Sequence, residues 1–328
     1  MNLRIAVLIP CYNEVGTIAA VVHDFCRYLH GADIYVFDNN SVDGTAKAAA
    51  GASANVRHVA LQGKGNVVRC MFADVDADIY VLVDGDGTYE SSYASLLVET
   101  LVDGRYDMVV GARTAAEHKA YRFGHRFGNG LLTKAVRVLF GSAFTDMLSG
   151  YRVFSRRFVK SFPAEAAGFE VETEFAIHAL RLRLPTKEVL TPYAARPLGS
   201  SSKLRTYRDG ARIMLTILRL FKAERPLWFF SLCCVLCVVI SSVLAIPLFE
   251  TYWTTGLVPR FPTAILCAGL VMLGAISLAC GFVLDTVTQG RNEIKRLAYL
   301  AIPPMPDVVR APRARVSGEP VAVSDASA

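Results

Sequence analysis

Residues 5–113 alternate short apolar runs with stretches in which apolar residues recur at helical spacing. The runs predict strands at Ile5–Ile9, Ile34–Phe37, Val56–Ala60, Ile79–Val83 and Met108–Arg113. The helical spacing predicts helices at Val15–Leu29, Asp43–Ala50 and Lys64–Asp74. This alternation is typical of an α/β fold with a mostly parallel sheet, and such sheets bind their ligands at the carboxyl ends of the strands.

The C-terminal part of the 328-residue chain contains two long stretches without a charged residue, 226–249 and 261–284. Each exceeds the roughly 20 residues that cross the hydrocarbon core of a bilayer, so both are predicted to be transmembrane helices. The predicted organisation is an α/β domain at 1–210, an interfacial amphipathic helix at 211–225, an external loop at 250–260 between the spans, and a cytoplasmic tail at 285–328 whose end is disordered.

Charge is unevenly distributed along the chain, whose formal net charge is +6. The eight basic residues of 196–225 exceed its two acids by six, so the rest is close to neutral. This pattern argues against a nucleic-acid partner and places the surplus beside the membrane, where lipid phosphate would meet it. Basic residues flank both spans, whereas the intervening loop carries only Arg260. The predicted location is the cytoplasmic membrane, with the catalytic domain and both termini cytoplasmic.

An acidic pair separated by glycine, Asp84-Gly85-Asp86, directly follows the predicted buried strand Ile79–Val83. Carboxylates at such a place are costly unless a cation lies between them. A glycine between the acids lets the backbone approach a ligand, and Mg²⁺ or Mn²⁺ shared with substrate phosphates would fit the two acids. The chain is therefore predicted to handle a nucleotide-activated substrate; the alternative is an acidic turn that only ends the strand.

Polar residues also follow the first two strands and open the third helix. The segment Pro10-Cys-Tyr-Asn-Glu14 follows the first strand, and Asp38-Asn-Asn-Ser41 follows the second. The Asp38 carboxylate can accept the ring N–H of uracil or guanine, or can form an Asx turn that caps the next helix. Gly63-Lys64-Gly65 opens a helix, where backbone N–H groups favour phosphate or sugar oxygens; the alternative is that Lys64 is only a solvated cap.

In this order the segments resemble the catalytic domain of family 2 glycosyltransferases of the GT-A fold. The matching segments are Ile9-Pro-Cys-Tyr-Asn-Glu14, Asp38-Asn-Asn-Ser-Val-Asp-Gly-Thr45, Gly63-Lys-Gly-Asn66 and Asp84-Gly-Asp-Gly-Thr88. More narrowly, the two spans and the segments Asp146-Met-Leu-Ser-Gly-Tyr-Arg152 and Gly199-Ser-Ser-Ser-Lys-Leu204 resemble polyprenyl-phosphate glycosyltransferases, among them dolichol-phosphate mannose synthases and bactoprenol glucosyltransferases. The resemblance implies a Rossmann-like GT-A domain at 1–210 that transfers a sugar, with inversion, from a nucleotide sugar to a polyprenyl phosphate.

The resemblance also assigns roles to individual residues. Asp84 and Asp86 would hold Mg²⁺ or Mn²⁺, and the nucleotide sugar, with UDP favoured over GDP, would contact Pro10, Tyr12, Glu14, Asp38, Lys64, Asp84, Gly85, Thr88 and Arg113. The lipid phosphate would contact Arg122, Arg126, Ser202, Lys203 and Arg205, and the catalytic residues would be Asp86, Asp146 and Arg126. Thr88 stands where some relatives have Gln, which leaves a third side-chain contact to the metal open.

Simpler interpretations remain for several of these residues. The arginines can be surface charges, Lys203 and Arg205 can reflect the positive-inside bias, and Asp146 can form a structural turn before Gly150. Because the phosphate nucleophile is already anionic, no strong base is needed, and Asp146 is expected to orient the acceptor or take a residual proton. Glu172 is the best placed of three alternating acids to face the cleft, unless it only begins a helix.

Two rival functions are a processive polysaccharide synthase and a non-catalytic membrane adaptor that binds nucleotide sugars. Synthases usually carry a Gln-x-x-Arg-Trp motif and more spans, whereas the two Trp residues of this chain, Trp228 and Trp253, fall at the ends of the predicted spans. Retention of both acids together with Arg113 argues against an adaptor. The resemblance leaves a homo-oligomer open, with a tetramer as one candidate.

Overall fold

A computed structural model describes residues 3–114, 144–168, 170–194, 218–219 and 221–306. The strands are β1 (Ile5–Cys11), β2 (Asp33–Asp38), β3 (Asn55–His58), β4 (Ile79–Leu82), β5 (Met108–Thr114), β6 (Arg152–Ser155) and β7 (Thr186–Pro192). The helices are α1 (Ile18–Tyr28), α2 (Thr45–Gly51), α3 (Lys64–Asp74), α4 (Ala94–Asp103), α5 (Arg156–Ser161), α6 (Val171–Leu182), α7 (Pro226–Thr255) and α8 (Phe261–Leu300).

The strands form one sheet in the order β3-β2-β1-β4-β6-β5-β7. All neighbours pair in parallel except β6, which is antiparallel to both β4 and β5. From β1 the chain first builds outward through β2 and β3 and then returns to place β4 on the other side of β1. This reversal opens a crevice at the carboxyl ends of β1 and β4, where open α/β sheets bind ligands. The predicted mostly parallel sheet is confirmed.

The sheet is buried on both faces because its central strands carry apolar residues at successive positions. In β1, Ala6 and Leu8 face one core while Val7 and Ile9 face the other. The first core includes an aromatic cluster in which Phe154 lies 4.6 Å from Phe158 and 4.9 Å from Phe175, between ring centroids. The two hydrophobic cores, one on each face of the sheet, hold the strands in place and so support the loops at their carboxyl ends.

The C-terminal helices α7 and α8 are long and apolar enough to cross a membrane, with mean hydropathies of 2.8 and 2.3 in their most apolar stretches. Little of either stretch is buried, and Val239, Phe249 and Leu273 are among the exposed side chains. A helix in a soluble core would bury such residues. Both helices therefore match the predicted spans, although α8 begins at Phe261 and continues well beyond residue 284, to Leu300.

The end of α8 is attached to the α/β domain, within the region that the sequence assigned to a tail. The Tyr299 hydroxyl donates to Asp107 Oδ2 at 2.8 Å, and Arg157 Nε donates to the backbone oxygen of Ile302 at 2.7 Å. The Arg157 guanidinium also lies 5.3 Å from the centre of the Tyr299 ring. Asp107 precedes β5, so this contact lies at the end of the sheet opposite the crevice. The tail beyond residue 306 lies outside the described residues.

Little of the predicted interfacial helix at 211–225 falls within the described residues, of which 218–219 and 221–224 are helical. Glu224 pairs with Arg181 of α6 at 2.5 Å, and the two side chains are only 9% and 8% exposed. The segment that enters α7 is therefore fixed to the α/β domain by an ion pair. Breaking such a pair on one side leaves an uncompensated buried charge.

Candidate active site

The acidic turn after β4 lies at the crevice. Asp86 is 7% exposed, and its Oδ1 accepts hydrogen bonds from the Thr88 hydroxyl at 2.6 Å and the Thr88 backbone N–H at 3.2 Å. Gly87, at φ 70°, allows the turn that brings Thr88 back to Asp86. Thr88, predicted to contact the nucleotide sugar, is thus seen orienting one of the two predicted metal ligands.

Gly85 is needed because the acidic turn packs tightly on the first loop. A β-carbon at this position would lie 2.5 Å from Glu14 Oε2 and 2.6 Å from Cys11 Sγ. The Thr17 hydroxyl donates to the Gly85 carbonyl at 2.7 Å and closes the same contact. Burial, together with the charge of Glu14, raises the pKa of the Cys11 thiol, so a neutral thiol lies behind the turn. The glycine thus serves packing within the protein.

The loops after β1 and β2 are joined by reciprocal hydrogen bonds. The Asn13 N–H donates to Ser41 Oγ at 2.9 Å, and the Val42 N–H donates to Asn13 Oδ1 at 2.9 Å. Asn13 adopts a left-handed conformation with φ 53°, which its short polar side chain tolerates. The bonds hold the loop that carries Tyr12 and Glu14 against the loop that begins at Asp38, as their assignment to one ligand requires. Pro10 lies just before them in β1, beside Phe37 of β2.

Asp38 keeps one carboxylate oxygen without a hydrogen-bond partner among the described residues. Its side chain is 6% exposed. Oδ2 accepts the Ser41 N–H at 3.3 Å and lies 3.7 Å from His58 Nδ1, whereas Oδ1 is buried and has no such partner. Both interpretations of Asp38 therefore have support, because one oxygen makes an Asx-type contact and the other remains for a ligand N–H. Buried unsatisfied oxygens are uncommon and point to a missing donor.

Lys64 was predicted to meet phosphate or sugar oxygens, and the structure directs its ammonium between two acids, the buried Glu172 and the part-buried Asp84. Lys64 Nζ lies 2.5 Å from Asp84 Oδ1 and 2.6 Å from Glu172 Oε1. Glu172, which begins α6, thus faces the crevice, as expected for the best placed of the three acids. The glycines on either side of Lys64 approach protein backbone: β-carbons on Gly63 and Gly65 would collide with the carbonyls of Ala167 and Ala166.

Arg113 and Asp146 form a forked ion pair at the end of β5. Arg113 Nε and Nη2 donate to the two oxygens of Asp146, each at 2.7 Å, and the guanidinium lies 5.3 Å from the centre of the Tyr193 ring. Burial alone would raise the pKa of Asp146, but the hydrogen bonds and charge of Arg113 outweigh it and lower the pKa below its usual value. The predicted phosphate ligand and the predicted acceptor-orienting acid are therefore paired with each other.

Several contributors to the site were not predicted. Arg152 is 1% exposed and donates to the carbonyls of Met147 and Ser149, at 2.5 and 3.0 Å, so it fixes the loop that carries Asp146. Burial lowers the pKa of Arg152 to about 10, which leaves it charged. The Gly150 N–H donates to the Tyr89 hydroxyl at 2.7 Å. The only sequence signal for these contacts was the position of Arg152 and Gly150 inside a motif already noted.

The remaining assigned residues, Arg122, Arg126, Ser202, Lys203 and Arg205, lie outside the described residues. Their assignment to the lipid phosphate and, for Arg126, to catalysis remains a prediction.

The donor set at the crevice fits a divalent metal shared with a substrate. Within the described ranges, no three His, Cys, Asp or Glu residues are grouped so that they could enclose an ion by themselves. Mg²⁺ usually takes one or two carboxylates and completes its shell with phosphate oxygens and water, which matches the two acids of the turn. The ammonium of Lys64, which already lies on Asp84, shows that this place attracts a cation.

The comparison with known sequences decides the family. The model of glycosyl transferase family 2 matches residues 6–162. Glycosyltransferase AglJ of Haloferax volcanii is 33% identical over 300 residues, which cover 90% of this chain and 98% of the relative. The chain belongs to glycosyltransferase family 2. It is therefore a glycosyltransferase, as the motifs predicted.

Further relatives support the narrower resemblance and the fold. The dolichyl-phosphate hexose transferase of Haloferax volcanii is 28% identical over 222 residues, which cover 67% of this family 2 chain and 95% of the relative. A solved structure of glucosyl-3-phosphoglycerate synthase from Mycobacterium tuberculosis, in complex with Mn²⁺, UDP and phosphoglyceric acid, superimposes with a TM-score of 0.55 at 23% identity. It covers 67% of this chain and 78% of that one. The GT-A-like fold is thus confirmed.

The buried pair of Arg113 and Asp146 predicts a pH-dependent stability. Because the folded pKa of Asp146 lies below its unfolded value of about 3.9, its contribution is present above that pH and is lost as pH falls through the folded pKa. Asp146→Asn should lower the free energy of unfolding at pH 7 by about 3 kcal/mol, since it removes the negative charge that pairs with the part-buried Arg113 guanidinium. The deficit relative to wild type should shrink below about pH 4.

Thermal unfolding of both proteins in detergent, followed from pH 7 to pH 3, measures this difference. A gap in melting temperature that stays constant over the whole range would contradict the role given to the Asp146 charge. Asp33→Asn, at the exposed start of β2, is a control that removes an exposed carboxylate.

Proposed function

We propose that this enzyme transfers a sugar, with inversion, from a nucleotide sugar to a polyprenyl phosphate at the cytoplasmic face of a membrane. UDP is the favoured nucleotide, with GDP as the alternative. The observation that carries the proposal is the joining of a GT-A-like crevice, lined by Asp38, Asp84 and Asp86, to two exposed apolar helices in one chain.

The nucleotide end of the substrate fits the loops after β1 and β2. The unpartnered Oδ1 of Asp38 can accept the ring N–H that uracil and guanine carry and unprotonated adenine lacks. The joined loops leave Tyr12 and Glu14 beside it. The fold neighbour was solved with UDP and Mn²⁺, which favours the same kind of ligand for this crevice.

The diphosphate would lie over the acidic turn, with a divalent ion held by Asp84 and Asp86. A bound Mg²⁺ or Mn²⁺ supplies charge stabilisation for a leaving diphosphate. In this chain Thr88 orients Asp86, and Lys64 adds a cation at the same edge of the sheet. Arg113 and Asp146, fixed by Arg152 through the loop, form the wall of the crevice at the end of β5. These contacts hold two anionic substrates in place, which is what a reaction with a charged nucleophile requires.

The acceptor end fits the membrane part of the chain. The apolar faces of α7 and α8 are exposed, as in helices that meet lipid. The basic residues of 196–225 directly precede α7, where they would meet the phosphate of a lipid whose tail remains in the bilayer. The similarity to the dolichyl-phosphate hexose transferase of Haloferax volcanii supports the same class of acceptor.

Purified full-length protein in detergent tests the proposal. It should convert undecaprenyl or dolichyl phosphate and a labelled UDP-sugar into a lipid-linked product, and EDTA should stop the reaction. Asp38→Ala should raise the KM for UDP-sugar about tenfold or more and change kcat less, because it removes a ground-state contact with the base.

Three outcomes would count against the proposal. No lipid-linked sugar from any UDP- or GDP-sugar would favour the adaptor. Release of a growing polymer would favour a processive synthase. Undiminished transfer in EDTA would show that the reaction does not depend on a divalent metal.

A further inference from the structure

Lys64 is an unusual lysine because its charged end is buried between two acids. The side chains of Lys64 and Glu172 are 7% and 6% exposed, and that of Asp84 is 28% exposed. Burial by itself would lower the pKa of Lys64, but the charges of Asp84 and Glu172 overcome it and raise the pKa above its usual value. The ammonium is therefore charged at neutral pH and is held from two sides.

The position of the ammonium is built into the backbone. The Gly65 N–H donates to the Ala167 carbonyl at 3.1 Å, which locks the start of α3 against the segment that leads into α6. The Ala166 N–H donates to Glu174 Oε2 at 3.0 Å and ties the same segment to the first turn of α6. Lys64 and Glu172 thus project from two helix starts that are fixed to each other. Neither side chain can move far from the other without disturbing this packing.

Asp84 is shared between this pair and the predicted metal site. Its Oδ1 already receives the ammonium, and a second cation on the same carboxylate would be repelled by the first. Glu172 Oε2 is buried and has no hydrogen-bond partner among the described residues, so the Glu172 carboxylate has capacity for a closer hold on the ammonium. The Lys64 ammonium can therefore stay bound to Glu172 when its contact with Asp84 is lost.

We propose that Lys64 is a tethered counterion that competes with the divalent ion for Asp84, and that Glu172 is the positioning residue that keeps it there. When the nucleotide binds, the ammonium keeps Glu172 and exchanges Asp84 for a diphosphate oxygen, and Asp84 becomes available to the metal. Metal and nucleotide then bind cooperatively, because each relieves the repulsion that the other would meet. This inference rests on the metal-dependent function proposed above.

Binding of Mn²⁺ to the full chain in detergent, measured from the electron paramagnetic resonance of free Mn²⁺, tests the inference without an activity assay. Without nucleotide, Lys64→Met should bind Mn²⁺ about tenfold or more tightly than wild type, because a competing charge is gone. With UDP, the affinity of wild type for Mn²⁺ should rise more than that of Lys64→Met. The control is Lys160→Met, a part-buried lysine on α5 whose ammonium donates to the carbonyls of Phe72 and Val75.

A purely structural role would make Lys64→Met less stable without changing its affinity for Mn²⁺, and that result would overturn the inference. If Lys64→Met does not fold, Lys64→Met/Glu172→Gln removes both members of the pair and must still bind Mn²⁺ more tightly than wild type, by a smaller factor because a nearby negative charge is lost with the lysine. No gain in the double variant would also overturn it. If wild type binds Mn²⁺ with UDP through Asp86 but Lys64 has no influence, only this inference fails; if no variant binds Mn²⁺, the metal-dependent function fails with it.

Discussion

Asp86→Asn is expected to reduce kcat/KM for sugar transfer about 10³-fold, the largest effect on activity that we predict. The asparagine keeps an oxygen at Oδ1 that can accept the Thr88 hydroxyl, which lies 2.6 Å from it, so the turn should keep its shape. What is lost is one negative charge, which in the proposed complex holds the metal at the leaving diphosphate. The melting temperature of the ligand-free protein should therefore change little, while the Mn²⁺ affinity in the presence of UDP should fall steeply.

The chain contains a matched control for this substitution. Asp43-Gly44-Thr45 has the same sequence as Asp86-Gly87-Thr88. In this second turn Asp43 Oδ1 accepts hydrogen bonds from the Thr45 hydroxyl at 2.5 Å and from the Thr45 N–H at 3.0 Å. Asp43→Asn makes the same chemical change in a turn at the start of α2, and it should leave kcat/KM within about tenfold of wild type. Equal losses in both variants, or transfer by Asp86→Asn within about tenfold of wild type, would show that Asp86 is not a metal ligand.

The sequence was most informative where burial on both faces of the sheet dictates the residue type. The runs that became β1, β2 and β4 are almost wholly apolar, and the structure moves their predicted ends by one residue or two. The strand β6 was not predicted, because it is only four residues long and begins with Arg152. A charged residue is not expected to be buried, so nothing in the sequence indicated a buried strand there. The strand β7 was missed as well, because its burial is partial and Lys187 and Glu188 interrupt the apolar pattern.

The site was predictable in its location and unpredictable in its pairings. Parallel strands place their following loops at one edge, so Asp38 and the acidic turn had to lie together. The pairing of Arg113 with Asp146 joins residues 33 positions apart, and no local sequence pattern predicts it. The same holds for Lys64 and Glu172, which lie at the starts of two different helices. Long-range ion pairs depend on how the helices pack against the sheet, which periodicity does not encode.

Gly150→Ala should reduce kcat/KM about 10²-fold while the protein still folds, because it displaces the Asp84 carboxylate that we propose as a metal ligand. A β-carbon at Gly150 would collide with Asp84 Oδ2, and the nearby backbone is held by the bond from the Gly150 N–H to the Tyr89 hydroxyl. Because the backbone of Gly150 is held, the Asp84 side chain is expected to move away from the new β-carbon. Overpacking of this kind costs about 1–3 kcal/mol, which is less than the stability of a typical domain.

The displaced Asp84 should bind the Lys64 ammonium and the proposed divalent ion less well, so the affinity for Mn²⁺ with UDP should fall together with kcat/KM. Gly51→Ala is the matched control, because Gly51 ends α2 and a β-carbon there would meet no atom within 4 Å. That variant should match wild type in transfer and in Mn²⁺ binding, with equal or slightly greater stability. If Gly150→Ala kept full activity, the crevice would tolerate a shift of Asp84, and this carboxylate could not be a ligand whose position limits the reaction.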